Sequence, residues 1–130
     1  MTKEFVSYEQ AVALKELGFN EICMGYFDVR LEHQIGNFNF TESKGYHESV
    51  AALSPLKQQV FRWFREKKLH NTFPSIIQTR NWASLYRILE WHPGNDSTSI
   101  STSDYYDTYE EAEDACIDKL IELTKQQDNG

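Results

Sequence analysis

Two rows of like charge are the residues in this chain whose types and spacing could do chemistry. Near the C-terminus Glu110, Asp114, Asp118 and Glu122 recur at every fourth position, which on a helix stacks four carboxylates along one side. Like charges spaced this way cost a helix a few tenths of a kcal/mol per pair. The helix dipole favours Glu110 and Glu111 in the first turn, but it does not reach Asp118, and Glu122 sits near the wrong end. Three readings stay open: a solvated face, a face paired with a basic helix of the same chain, or a surface that docks a basic partner. Earlier in the chain, at about 100° per residue, Lys57, Arg62, Arg65 and Lys68 fall opposite an apolar stripe, with Phe61 among them. A basic face holding an aromatic ring can contact phosphates and stack on a base, so RNA or DNA is the alternative partner. The plainer reading is a solvated face with Phe61 tucked under a neighbouring element.

No catalytic, metal or cofactor pattern accompanies these rows. His33, His47, His70 and His92 are expected singly in turns or loops, and neither Cys23 nor Cys116 has a partner at zinc-ligand spacing. A phosphate-binding loop, a dinucleotide fingerprint, a nucleophile elbow and a zinc-protease helix are all missing from the sequence. Cys116 falls on the apolar side of a helical pattern, where a free thiol is a small buried hydrophobe. A disulfide to Cys23 is not favoured. Neither a signal peptide nor a membrane-spanning run is legible, which points to a cytosolic protein.

The charge is divided unevenly along the 130 residues. Residues 1–53 hold four basic and eight acidic side chains, 54–103 seven and three, and 104–130 two and nine, within a net charge of −7. Overall acidity disfavours unspecific binding to nucleic acid or anionic membrane, while the positive middle keeps a local version open.

The elements that must carry these residues can be read from caps and periodicity. Ser7 and Gln10 form a capping box ahead of Ala11, Val12, Leu14 and Leu17, and Gly18 with Phe19 has the order of a Schellman stop. Tyr26 to Glu32 alternates as a half-buried strand, and Gly36 and Asn37 suit a turn into a partner strand holding Phe38 and Phe40. Residues 41–53 read as a loop. Ser54 and Pro55 suit a helix start, and Leu56, Val60, Trp63 and Phe64 give its apolar stripe. Short strands are expected at Ile76 to Thr79, Leu85 to Trp91 and Thr98 to Thr102, with a turn at Pro93, Gly94 and Asn95. Thr108 and Glu111 suggest a second capping box, and Tyr109, Ala112, Cys116, Leu120 and Leu123 run down one face of a last helix. The expected fold is α+β, a small and mostly antiparallel sheet packed by about three helices, in the order α-β-β-α-β-β-β-α. Residues 1–125 are expected to form one domain, and 126–130 a frayed tail.

Three stretches carry a resemblance: FVSYEQAVALKELGFNEIC from Phe5 to Cys23, SPLKQQVFRWFREKK from Ser54 to Lys68, and YYDTYEEAEDACIDKLIEL from Tyr105 to Leu123. Together they resemble a family of small proteins of Bacteroidota phages and prophages that has no assigned activity. The run from Phe61 to Arg65 and the helix start from Thr108 to Ala112 are its specific parts, and the resemblance covers under half of the chain. It implies a mobile-element accessory protein in a bacterial cytoplasm and supplies no catalytic residue. By analogy of size and origin, such a protein is expected to bind a host or phage macromolecule, a protein or a protein–nucleic-acid complex. Inhibition of host defence, as by anti-CRISPR proteins, is the specific form of that expectation.

Overall fold

The computed structural model describes residues 4–19, 21, 23–28, 30, 32–38, 50–78 and 83–129. They form α1 (Tyr8–Glu16), β1 (Cys23–Asp28), β2 (His33–Phe38), β3 (Val50–Leu53), α2 (Lys57–Trp63) with a π-helical turn at Phe64–Lys68, β4 (Thr72–Gln78), β5 (Ser84–His92), β6 (Ser97–Thr102) and α3 (Tyr109–Asn129). The fold is α+β, with one strand more than expected. Packing divides the chain into two compact units, Met1–Val60 and Phe61–Gly130, a division that the expectation of one domain over 1–125 did not draw. Each unit contains its own three-stranded antiparallel sheet.

In the first unit, α1 begins and ends as its local residues dictate. Gln10 N–H donates to Ser7 Oγ at 3.2 Å and Ser7 N–H to Gln10 Oε1 at 3.1 Å. At the other end Gly18 takes φ +98, Phe19 N–H donates to Leu14 O at 2.9 Å, and Gly18 N–H to Lys15 O at 3.1 Å. These are the two bonds of a Schellman motif, and they satisfy carbonyls the helix leaves open. Ala11 and Leu14 are buried from its inner face, and a fully buried Leu contributes about 1.5–3 kcal/mol relative to an exposed one. The helix packs on β3.

The sheet order is β2-β1-β3. Phe27 stands opposite His33 on one side and Ala52 on the other, so β1 is the central strand. The hairpin expected to turn at Gly36 and Asn37 reverses instead between Asp28 and Glu32, and Gly36 and Asn37 lie within β2. The cause is Asp28, whose Oδ1 accepts the N–H groups of Arg30 at 2.9 Å and Glu32 at 3.0 Å, while Oδ2 accepts Gln34 Nε2 at 3.2 Å. The bond from Glu32, then that from Arg30, holds its carboxyl below the usual value near 3.8 against the opposing effect of burial. A carboxylate can close such a turn by accepting from the backbone two residues on. Val29, Leu31 and Phe40, which the expected hairpin included, lie outside the described residues, as does Thr79.

Two further expectations are corrected here. Val50–Leu53, assigned to a loop, is strand β3. Ser54 and Pro55 do not open the helix, because both are used in extended pairing. Ser54 N–H donates to Gly25 O at 2.9 Å, Ser54 Oγ to Val6 O at 3.1 Å, and Pro55 O accepts from Val6 N–H at 3.1 Å. Leu56 bridges to Phe5, and α2 starts one residue later, at Lys57.

In the second unit, β4, β5 and β6 are neighbours in that order. Pro74 lies in β4, an edge strand, where a residue without an N–H is tolerated. The chain turns from β5 to β6 through Pro93 and Gly94 as expected, but the positive φ, 50°, falls on Asp96, a residue type that tolerates the left-handed region. Helix α3 packs on β4 and β5. Thr108 caps it through Oγ1, which accepts Glu111 N–H at 3.1 Å. The helix continues through Gln126 and Gln127 to Asn129, across most of the segment expected to be a frayed tail. Its buried side is broader than the expected face: Ile117, Ile121, Glu113 and Thr124 join Ala112, Cys116 and Leu120, while Tyr109 is exposed.

Candidate functional site

The expected basic face does not survive as a single surface. Lys57 is only 3% exposed, so it is not available to a phosphate. Arg62 and Arg65 are exposed and Phe61 is half-buried. Lys68 leaves their face because the helix changes its winding: Leu69 N–H donates to Phe64 O, five residues back, at 2.6 Å. In a π turn, residues five apart come into line. Lys68 therefore lies over Trp63, with Nζ 5.9 Å from the ring centroid, within the range of a cation–π contact. The 100° spacing applied to the sequence was correct for an α-helix and wrong for this turn. Lys67 is exposed in its place.

The acidic row is also not one flat face. Each four-residue step on an α-helix advances about 40° around the axis, so the row winds from the border of the buried side outward. Glu110 and Asp114 are half-buried, while Asp118 and Glu122 are exposed. Glu122 lies 3.5 Å from Lys119 Nζ and accepts Gln126 Nε2 at 3.2 Å.

Sequence reasoning missed a third surface, on the second sheet. Tyr86 faces α3, since its phenol is pushed up by burial and then by the charges of Tyr106, Cys116 and Glu122. Ser84 and Ile88, on the same side of β5, are buried. Leu89 points the other way by strand alternation. It stands directly between Phe73 of β4 and Ile100 of β6, and Phe73 is 47% and Ile100 57% exposed. Directly paired residues share one face, so these three form an apolar row on the side of the sheet turned away from α3, a side that is closed at Leu85, 7% exposed, and open at Phe73 and Ile100. Arg87 and Thr102 flank it on one side, Trp91 and Thr98 on the other. Antiparallel sheets often leave one face to water, but that face is normally polar. The signal available in the sequence was the isolated Ile100 in the otherwise polar β6.

In the first unit His33 and Ser54 meet across the sheet, with Nε2 3.1 Å from Oγ. The imidazole lies between Phe5 and Phe27, at centroid distances of 4.7 and 5.1 Å, and burial there lowers its pKa from 6.5. Ser54 is fully buried and its hydroxyl is committed to Val6, so the pair holds strands together and offers no nucleophile. His33 and His92, expected in turns or loops, are strand residues of β2 and β5.

A cleft of about 610 Å³ opens in the second unit between the end of the π turn, β5 and the end of α3, lined by Lys68, His70, Glu90, His92 and Gln126 among others. Its size falls in the range of small-molecule sites, but its lining mixes both charges and polar groups with a minority of apolar residues, Leu69, Trp91 and Leu123 among them. Among the described residues no three His, Cys, Asp or Glu side chains group as metal ligands, and no helix is long and apolar enough to cross a membrane. Protein-family models, curated proteins and solved structures were each compared with this chain, and none matches it.

Proposed function

We propose that this chain is a phage or prophage accessory protein that acts by binding another protein, through the open face of the second sheet. One observation carries the reading: Phe73 and Ile100 stand exposed at the two ends of one cross-strand row. Exposing aligned large apolar side chains costs solubility and adds nothing to folding, so such a row marks a contact surface. Occluding a surface of a host-defence protein is the specific form of this function. The exposed acids Asp118 and Glu122 supply a second, electrostatic edge for a basic partner.

The test compares affinity capture by the native protein, by F73S/I100S and by D114K/D118K, from host cells expressing defence effectors. The expected result is a stoichiometric partner held by the native protein, lost with the sheet variant and weakened with the charge variant. Equal capture by the native protein and by F73S/I100S would remove the sheet face from the reading.

The exposure of Arg62 in α2 and of Arg65 and Lys67 in the π turn that follows favours a second reading, direct contact with RNA or DNA. It predicts binding that weakens steeply with salt and weakens further with Phe61→Ala. Absence of binding at low salt ends it.

A further inference from the structure

We propose that a second copy of this chain pairs with β6, edge to edge, about a two-fold axis through Ile100. This inference rests on the reading of the sheet face as a contact surface, which the second copy would extend.

The hydrogen-bonding phase of the sheet can be read from two bonds. Trp91 N–H donates to Asn71 O on the β4 side, and Ser103 N–H donates to Tyr86 O. In an antiparallel ladder successive residues direct their N–H and C=O groups to alternate sides. Leu89 and Trp91 therefore serve β4, while Ile88, Glu90 and His92 serve β6. Their partners Ser97, Ser99 and Ser101 point inward to β5, so Thr98, Ile100 and Thr102 direct their backbone groups outward. All six residues of β6 are exposed, and no described strand pairs with its outer side.

The two edges of this sheet are treated differently. On β4 the same phase turns Pro74 outward, so that edge lacks a donor where an incoming strand would need one, a common way of blunting an edge. From Ser97 to Ser103 there is neither a proline nor a charged residue. In a chain with net charge −7, an uncharged strand is where two copies can approach with least repulsion.

The outward groups are also self-complementary. With Ile100 opposite Ile100 of the second copy, Thr98 falls opposite Thr102 and Thr102 opposite Thr98. Each of these pairs can exchange both N–H···O bonds. The β-branched residues share the open face, and the row Phe73, Leu89, Ile100 would run on as its own mirror into a row twice as long. The same register sets Asp96 against Asp104 of the second copy at each end, so added salt should tighten the pairing by screening them.

The experiment is sedimentation velocity over a concentration series, on the native protein and on two variants that differ only at position 98. T98E/T102E places glutamates opposite each other across the axis, and T98K/T102E places lysine opposite glutamate. Dimerisation is expected to weaken about tenfold or more in the first and to recover in the second, from two cross-strand pairs that change sign. Both variants carry the same glutamate substitution at position 102, beside Arg87 of their own chain, and circular dichroism reports whether each is folded. A native protein that stays monomeric at every concentration overturns the proposal, as does a dimer equally tight in both variants. Phe73 lies on β4, the opposite edge of the sheet from the axis, so capture by F73S alone tests the proposed function without touching the β6 seam, and this inference and that function can fail separately.

Discussion

His33 donates to Ser54, and the direction of that bond is set by a third group. Ser54 Oγ has one proton and gives it to Val6 O at 3.1 Å, so at the 3.1 Å contact with His33 the hydroxyl accepts and Nε2 carries the hydrogen. Nε2 can donate from the neutral ring and from the imidazolium alike, so it is burial that favours the neutral form, and it lowers the pKa from 6.5. Between the lowered folded value and 6.5 the unfolded chain holds a proton that the folded chain does not. Stability must therefore fall as pH drops through that window, and the loss levels off below it. Denaturant midpoints at about pH 7.5 and about pH 5.5 should differ in the native protein, and differ less in His33→Gln, which keeps a donor toward Ser54. An identical pH slope in that variant would show that His33 is not the titrating group.

Gly25 has no room for a side chain. A Cβ there would lie 2.7 Å from Ser54 O, 2.8 Å from His33 Nε2 and 2.9 Å from Phe5 Cε1, whereas at Gly18 it would meet nothing within 4 Å. Gly25→Ala should cost about 1–3 kcal/mol by overpacking. Gly18→Ala should cost about 1 kcal/mol, from its positive φ alone. Equilibrium denaturation of the two variants distinguishes crowding from backbone strain, and a harmless Gly25→Ala would contradict the packing around Ser54.

Cys116 is a thiol kept out of chemistry. It is free and fully buried, and burial with the neighbouring charge of Glu113 pushes its pKa up to about 12. Because the thiolate is the reacting species, labelling by a disulfide reagent near neutral pH should proceed only as fast as the protein opens. In a Cys23→Ser background the labelling rate should follow the unfolding equilibrium across denaturant. Immediate stoichiometric labelling of the folded protein is the contrary result.

Ser84 carries a buried hydroxyl that has no partner among the described residues, although its backbone exchanges bonds with Tyr106 at 2.8 and 2.6 Å. Removing an unpaired buried polar group relieves its desolvation. Ser84→Ala should leave thermal stability unchanged or raise it by up to about 1 kcal/mol. A clear loss would reveal a partner for the hydroxyl.

What was legible in the sequence was what neighbours in the chain decide. Ser7, Gln10, Gly18 and Phe19 act on residues within five positions, and both ends of α1 form as their order implies. Val50–Leu53 has no alternation to announce it and becomes a strand because β1 lies beside it. Ser54 and Pro55 have the chemistry of a helix start, but pairing with Val6 and Gly25 takes their backbone first. The sheet surface was hidden for a related reason. Alternation tells that Phe73, Leu89 and Ile100 could share a side, but only the fold tells that this side, turned away from α3, buries Leu85 and leaves Phe73 and Ile100 exposed.

The π turn at Phe64–Lys68 makes residue number, and not only residue type, a property of this protein. It accommodates one residue more than an α-helical turn would between Phe64 and Leu69. Deleting any single residue from it would let the stretch close as an ordinary α-helix, at little cost in helical bonding. Trp63 would then lose its lysine, and every side chain up to His70 would be reassigned to a new direction. At this place an insertion or deletion, more than any substitution, would change which charges the protein presents to its surroundings.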